Sequence, residues 1–128
     1  MIALYEALLA HYNDSPLAAM TTGLYLYRAP QDATGNYITM RMISGKADYS
    51  FSDVMEDCVV QFSVWTDERS PIAALGIADW LNLWFNELSI PIAGTMVRAM
   101  RLTSPLLLPD PDVEWQVAVD YSFWVQEA

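Results

Sequence analysis

The 128-residue chain carries 6 Lys+Arg against 16 Asp+Glu, a formal net charge of −10 at pH 7. That balance excludes a phosphate-gripping clamp and docking on an anionic membrane, since both need a basic face. With 54% hydrophobic residues and a mean hydropathy of +0.19 the chain can fill the core of one domain, 1–128. Its longest run without Asp, Glu, Lys or Arg, Ser15 to Tyr27, is 13 residues, short of the ~18 a membrane helix needs.

Cys58 is the single cysteine, which excludes an internal disulfide and fits a reducing compartment. No basic region followed by an apolar block opens the chain, so no secretory leader is expected. A large apolar fraction in a small chain leaves hydrophobic side chains at the surface, which favours self-association.

Residues 2–12 read as a helix, with Ile2, Tyr5, Leu8, Leu9 and Tyr12 on one face. Ser15 caps a short second turn with Pro16 in its first position, carrying Leu17 and Met20 inward. Residues 24–28 form a short strand, and Ala29 to Asn36, with Pro30 and Gly35, a loop. In a strand from Tyr37 to Ile43, Ile38, Met40 and Met42 share one side.

Residues 44–57 are polar and acidic, with Tyr49 and Phe51 as isolated apolar members, and read as a hairpin arm with a mobile middle. The strand Cys58 to Thr66 alternates, with Cys58, Val60, Phe62 and Val64 facing one way. Ser70-Pro71 opens the main helix. Its expected buried stripe is Ala74, Ile77, Ala78, Leu81, Phe85 and Leu88, with Asp79, Asn82 and Asn86 toward water and Ile90-Pro91 as its end.

Thr95 to Thr103 is a further strand, and Pro105, Pro109 and Pro111 break the chain after it. From Val113 to Gln126, apolar Val113, Trp115, Val117, Val119, Tyr121, Phe123 and Val125 alternate with mostly polar residues; Ala118 and Trp124 break the pattern. A one-residue slip would invert every side chain, so the register of this strand is firmly set. The expected architecture is α+β: a largely antiparallel sheet of four to five strands with two main helices packed on one face.

Signatures of chemistry are sparse. Gly45-Lys46 lacks both the upstream glycine and the following Ser or Thr of a phosphate loop, and no Gly-x-Gly pair suits a dinucleotide. His11 reads as a partly exposed residue at a helix C-terminus, without a nucleophile signature elsewhere. Cys58 reads as a small buried hydrophobe. Asp110, Asp112 and Glu114 lack the glycine turn and the further oxygens of a calcium loop. No catalytic residue, metal site or cofactor is expected. Tyr49, Phe51, Trp65, Leu107 and Trp124 are instead the candidates for an interface with another subunit.

Several segments, in order, resemble the tail-completion or tail-terminator proteins of long-tailed bacteriophages, also found as prophage tail components. They are Leu4-Tyr5-Glu6-Ala7-Leu8-Leu9, Asp14-Ser15-Pro16-Leu17-Ala18-Ala19, Leu24-Tyr25-Leu26-Tyr27-Arg28-Ala29-Pro30-Gln31 with Tyr37-Ile38, Ser44-Gly45, Val60-Gln61-Phe62-Ser63-Val64-Trp65 and Asp120-Tyr121-Ser122-Phe123-Trp124-Val125. The segment from Ala93 to Pro111 matches least.

The resemblance implies a structural virion protein, present in the host cytoplasm during assembly and then in the tail or neck. It implies a homohexameric ring that caps the tail tube, stops its polymerisation and meets the head connector. The expected partners are the chain itself, the major tail tube protein and the connector, with DNA passing through unbound and no membrane.

The composition agrees. A chain of this length has a radius of gyration of about 14 Å and a sphere radius of roughly 18 Å, so six touching spheres leave a hole roughly 36 Å across. Acidic walls would let DNA slide without sticking. Asp48, Asp53, Glu56 and Asp57 are the candidates to line the channel or its rim. A head-completion or connector adaptor would use a similar subunit. A small-ligand-binding or enzymatic α+β domain would need a pocket with converging polar groups.

Overall fold

The computed structural model describes residues 2–30, 33–44, 58–92, 94–111 and 114–125. In chain order these form α1 (Ile2–Asn13), α2 (Leu17–Met20), β1 (Leu24–Leu26), β2 (Tyr37–Ser44), β3 (Cys58–Thr66), α3 (Ile72–Phe85), β4 (Ser89–Ile92), β5 (Thr95–Arg101), β6 (Leu106–Asp110) and β7 (Glu114–Val125). The α+β class is as expected, but the sheet has seven strands in place of four to five. The strand order is β1-β2-β3-β7-β5-β4, with β6 also paired to β7.

The two added strands are β4 and β6. Each contains a proline: Pro91, which reads in sequence as the end of the main helix, and Pro109, which reads as a chain break. At a sheet margin the missing N–H costs no ladder bond, so both prolines are tolerated there. Every pairing is antiparallel except β1 with β2, where Leu24 lies beside Ile38. β1 is shorter than expected because Tyr27 turns into the left-handed region at φ 65°. Its N–H still donates to Met40 O at 2.8 Å.

β7 is the spine. One edge pairs along its length with β3, from Cys58 opposite Phe123 to Thr66 opposite Trp115. The other edge pairs first with β6 (Leu106 opposite Ala118) and then with β5 (Arg101 opposite Tyr121). β5 and β6 are thus one interrupted strand. Residues 102–105 bulge out opposite Val119 and Asp120, held by the Leu102 N–H to Asp120 O bond at 2.8 Å. This bulge, an interruption absent from the simple alternation of β7, shortens β5 from the expected Thr103 to Arg101.

One core lies between the sheet and the helices. Val60, Phe62 and Val64 of β3 and Val117, Val119, Tyr121 and Phe123 of β7 are almost fully buried, as their alternation predicts. Phe62 makes an edge-on contact with Tyr121, ring centroids 5.5 Å apart, and a tilted one with Phe85 of α3 at 5.4 Å. α3 lies over β3, β7 and β5, whereas α1 touches both outer strands, β1 and β4, so the sheet curls around the helical layer. Leu4, Leu8 and Tyr12 face the core from α1, with Tyr5 and Leu9 half-buried beside them.

α3 begins where the sequence indicates. Ser70 Oγ accepts the Ile72 N–H at 3.3 Å, and Pro71 sits at φ −72°. Its end is earlier than expected. Asn86 leaves the helix extended, Glu87 takes φ 59°, and Leu88 leads into β4 instead of extending the helical stripe.

The two asparagines expected to face water bind the sheet instead. Asn82 Oδ1 accepts from the Tyr121 hydroxyl at 3.0 Å, and Asn86 Oδ1 from the Arg101 N–H at 2.8 Å. Asp79 faces outward and is exposed. His11 is half-buried, and its Nε2 hydrogen-bonds the Trp84 carbonyl at 2.7 Å, linking the end of α1 to the end of α3. Because a carbonyl only accepts, Nε2 carries the proton.

Candidate assembly surfaces

The helices cover one face of the sheet. Among the described residues, no helix lies over the other. Strand alternation places on that bare face Thr39 and Arg41 of β2, Gln61, Ser63 and Trp65 of β3, Gln116, Asp120 and Trp124 of β7, and Met96, Arg98 and Met100 of β5.

Near the β1 end, Trp65 is half-buried. Its ring stacks on Tyr37 with centroids 6.3 Å apart, and its Nε1–H donates to Thr39 Oγ1 at 3.0 Å. Burial, and secondarily the Asp110 carboxylate, push the Tyr37 phenol above its ordinary pKa. Trp65 is therefore largely engaged within its own chain, with only its outer side presented. Trp124 is half-buried on the same face of β7, directly opposite Arg98 of β5.

Leu107 points toward the helices and packs against the core. Its neighbours Leu106 and Leu108 face outward, 57% and 37% exposed. Tyr49, Phe51, Asp48, Asp53, Glu56 and Asp57 lie outside the described residues.

In the middle of the bare face, polar groups form a row. Arg41 Nε donates to Gln61 Oε1 at 3.2 Å, and Gln61 lies opposite Asp120. The Asp120 N–H donates to Thr103 Oγ1 at 3.0 Å. Gln61, Thr103, Ser104, Leu106, Ala118 and Asp120 line an open recess of about 280 Å³ at the bulge. Among the described residues no cluster of His, Cys, Asp and Glu could hold a metal ion, and no helix is long and apolar enough to cross a membrane.

Two apolar patches stand out from this chemistry. The bare face carries Met96 and Met100, and beside them lie Leu102, Leu106 and Leu108, all 37–57% exposed. The second patch is the outward side of α3. Ile72, Leu75, Trp80 and Leu83 are 75%, 39%, 40% and 69% exposed, while Ala74, Ile77, Ala78, Leu81 and Phe85 fill the opposite side. Apart from Asp79, α3 is thus apolar on its outward side as well as its inward one, the pattern of a helix covered on both. The signal was present in the sequence, because Ile72, Gly76, Asp79 and Leu83 recur at helical spacing a half-turn away from the core stripe.

No family model matches the chain, and no curated protein matches it in sequence. Solved structures do. A chain from the virion of a native gene transfer agent particle aligns with a TM-score of 0.67 and 19% identity, over 99% of this chain and 100% of that one. The gp17 protein of bacteriophage SPP1 aligns with a TM-score of 0.66 and 18% identity, over 98% of this chain and 90% of that one. At these identities the likeness is one of fold: from end to end, the chain has a fold also found in a bacteriophage protein and in a virion component.

Proposed function

We propose that the protein is a structural component of the tail or neck of a phage-like particle: a ring-forming terminator that caps the tail tube, stops its growth and meets the head connector. The observation that carries this reading is the end-to-end fold likeness to a virion chain and to a bacteriophage protein. The surfaces support it independently. Two unlike apolar patches on opposite sides of one subunit favour head-to-tail contacts, and such contacts close into rings when the rotation per subunit permits.

In this reading the protein catalyses no reaction, and its work is assembly. Each copy brings a formal charge of −10. Acidic residues, with Asp48, Asp53, Glu56 and Asp57 as the candidates, face the aperture and let DNA pass without adhesion. Trp65 and Trp124 present their exposed sides to neighbouring virion proteins. Negative-stain microscopy of the purified chain, mixed with tail tube protein, tests the proposal. Rings seated on tube ends and tubes of limited length are expected; unbound protein and tubes that keep growing would contradict it.

A further inference from the structure

Residue Gly76 sits in the middle of α3, where glycine favours the helix less than alanine does. A Cβ at that position would meet nothing within 4 Å. The packing of the described residues therefore gives no reason for a glycine there. Gly76 lies among Ile72, Leu83 and Trp80 on the outward side of the helix, so its missing side chain leaves a notch in a ridge that is apolar apart from Asp79. A notch of this kind admits the close approach of another surface.

Charge selects what that surface is. Asp79 is the single charged residue within the outward stripe of α3 and is exposed. On the bare face of the sheet, Arg98 has its Nε sealed from solvent with no hydrogen-bond partner among the described residues. A chain with 16 acids and 6 bases has carboxylates in excess, yet none of the described residues gives the Nε of this guanidinium an acceptor. That unmet donor is a cost borne inside the chain; what a neighbouring carboxylate can meet is the positive charge of the half-buried guanidinium. Arg98 stands between Met96 and Met100 on β5, within the apolar patch of the bare sheet face.

We infer that these two patches are the two halves of one interface between copies of this chain. The outward side of α3 in one copy lies across the bare sheet face of the next at β5 and β6. Leu83 and Ile72 cover Met96, Met100 and Leu106, the Gly76 notch receives the strand surface, and Asp79 pairs with Arg98. Each sheet then has helices on both faces, its own on one and its neighbour's on the other, the arrangement that buries a two-sided sheet. Because the two halves differ and lie on opposite sides of the subunit, the contact is head-to-tail. The inference rests on the ring reading above and specifies the surfaces that close the ring.

The test is sedimentation velocity of the full chain over a concentration series, for the native protein, Asp79→Arg, Arg98→Asp and the double swap, with melting curves confirming that each variant folds. The native protein should associate beyond a dimer. Each single reversal should weaken that association about tenfold or more, and the double swap should restore most of it. Single reversals that leave association unchanged, or a folded double swap no better than the singles, overturn the inference. If the native protein still forms rings in micrographs in that case, the ring reading stands and only the surfaces were misassigned. A native chain that stays monomeric at every concentration and forms no ring with tube protein overturns both.

Discussion

The Tyr121 hydroxyl donates to Asn82 Oδ1 at 3.0 Å, tying the middle of the central strand to the main helix across 39 residues of sequence. Tyr121 is wholly buried beneath that bond and packs edge-on against Phe62. The contact therefore fixes how α3 sits on the sheet, and with it the direction in which the outward side of α3 faces. Replacing Tyr121 by Phe keeps the ring and removes the bond. The expected cost is about 1 kcal/mol, against about 3–5 kcal/mol for Phe62→Ala, which leaves a cavity at the centre of the core. Urea denaturation of the two variants checks the ordering.

The same burial sets an alkaline limit. Desolvation pushes the Tyr121 phenol well above its ordinary value of 10.0, opposed in part by the Arg101 charge. Burial raises Tyr5, Tyr12 and Tyr37 in the same direction. A group whose folded pKa lies above its unfolded value binds its proton more tightly when folded. Its stabilising share is complete below the unfolded pKa and lost as pH rises past it. Stability should hold up to about pH 9 and decline from about pH 10 upward, by at most about 1.4 kcal/mol per pH unit for Tyr121 alone. Tyr121→Phe should flatten that decline in denaturation curves measured from pH 8 to 11.

His11 joins the two long helices. Its Nε2–H reaches the Trp84 carbonyl at 2.7 Å, and its ring meets Phe85 edge-on with centroids 5.1 Å apart. His11→Ala removes both contacts and should cost about 1–3 kcal/mol. Hydrogen exchange should show the loss first at the N–H groups of α1.

Gly76 offers a substitution with opposite effects on folding and on assembly. Gly76→Ala should raise the stability of the isolated subunit by about 1 kcal/mol, since a Cβ there meets nothing within 4 Å. It should also weaken association between copies, because the notch is filled. Thermal melting at low concentration reads the first effect and sedimentation the second.

Much of the fold was legible because β3 and β7 alternate without ambiguity. Val60, Phe62 and Val64, and Val117, Val119, Tyr121 and Phe123, all reach the core. What sequence missed has a common physical cause. β4 and β6 are marginal strands of four and five residues, and Pro91 and Pro109 are breakers only where a ladder N–H is required. Asn82 and Asn86 read as solvated because polarity alone does not show that a tyrosine hydroxyl or a strand N–H waits opposite. The early end of α3 depends on Glu87 at φ 59°, a conformation a glutamate does not advertise. Of the interface candidates, Leu107 sits beside the outward residues, Leu106 and Leu108, because the facing of a short strand between prolines depends on its pairing with β7. The outward side of α3 is written in the sequence at helical spacing, but Asp79 within it gives that side the look of a solvated face.

In the function proposed above, this protein is an assembly part located where tail meets head. Cryo-electron microscopy of intact particles from a producing cell tests it most directly. A ring of density is expected at the end of the tail tube, next to the connector, into which this fold fits with α3 of each copy against the sheet of the next. Particles whose tail and neck contain no such subunit would contradict it.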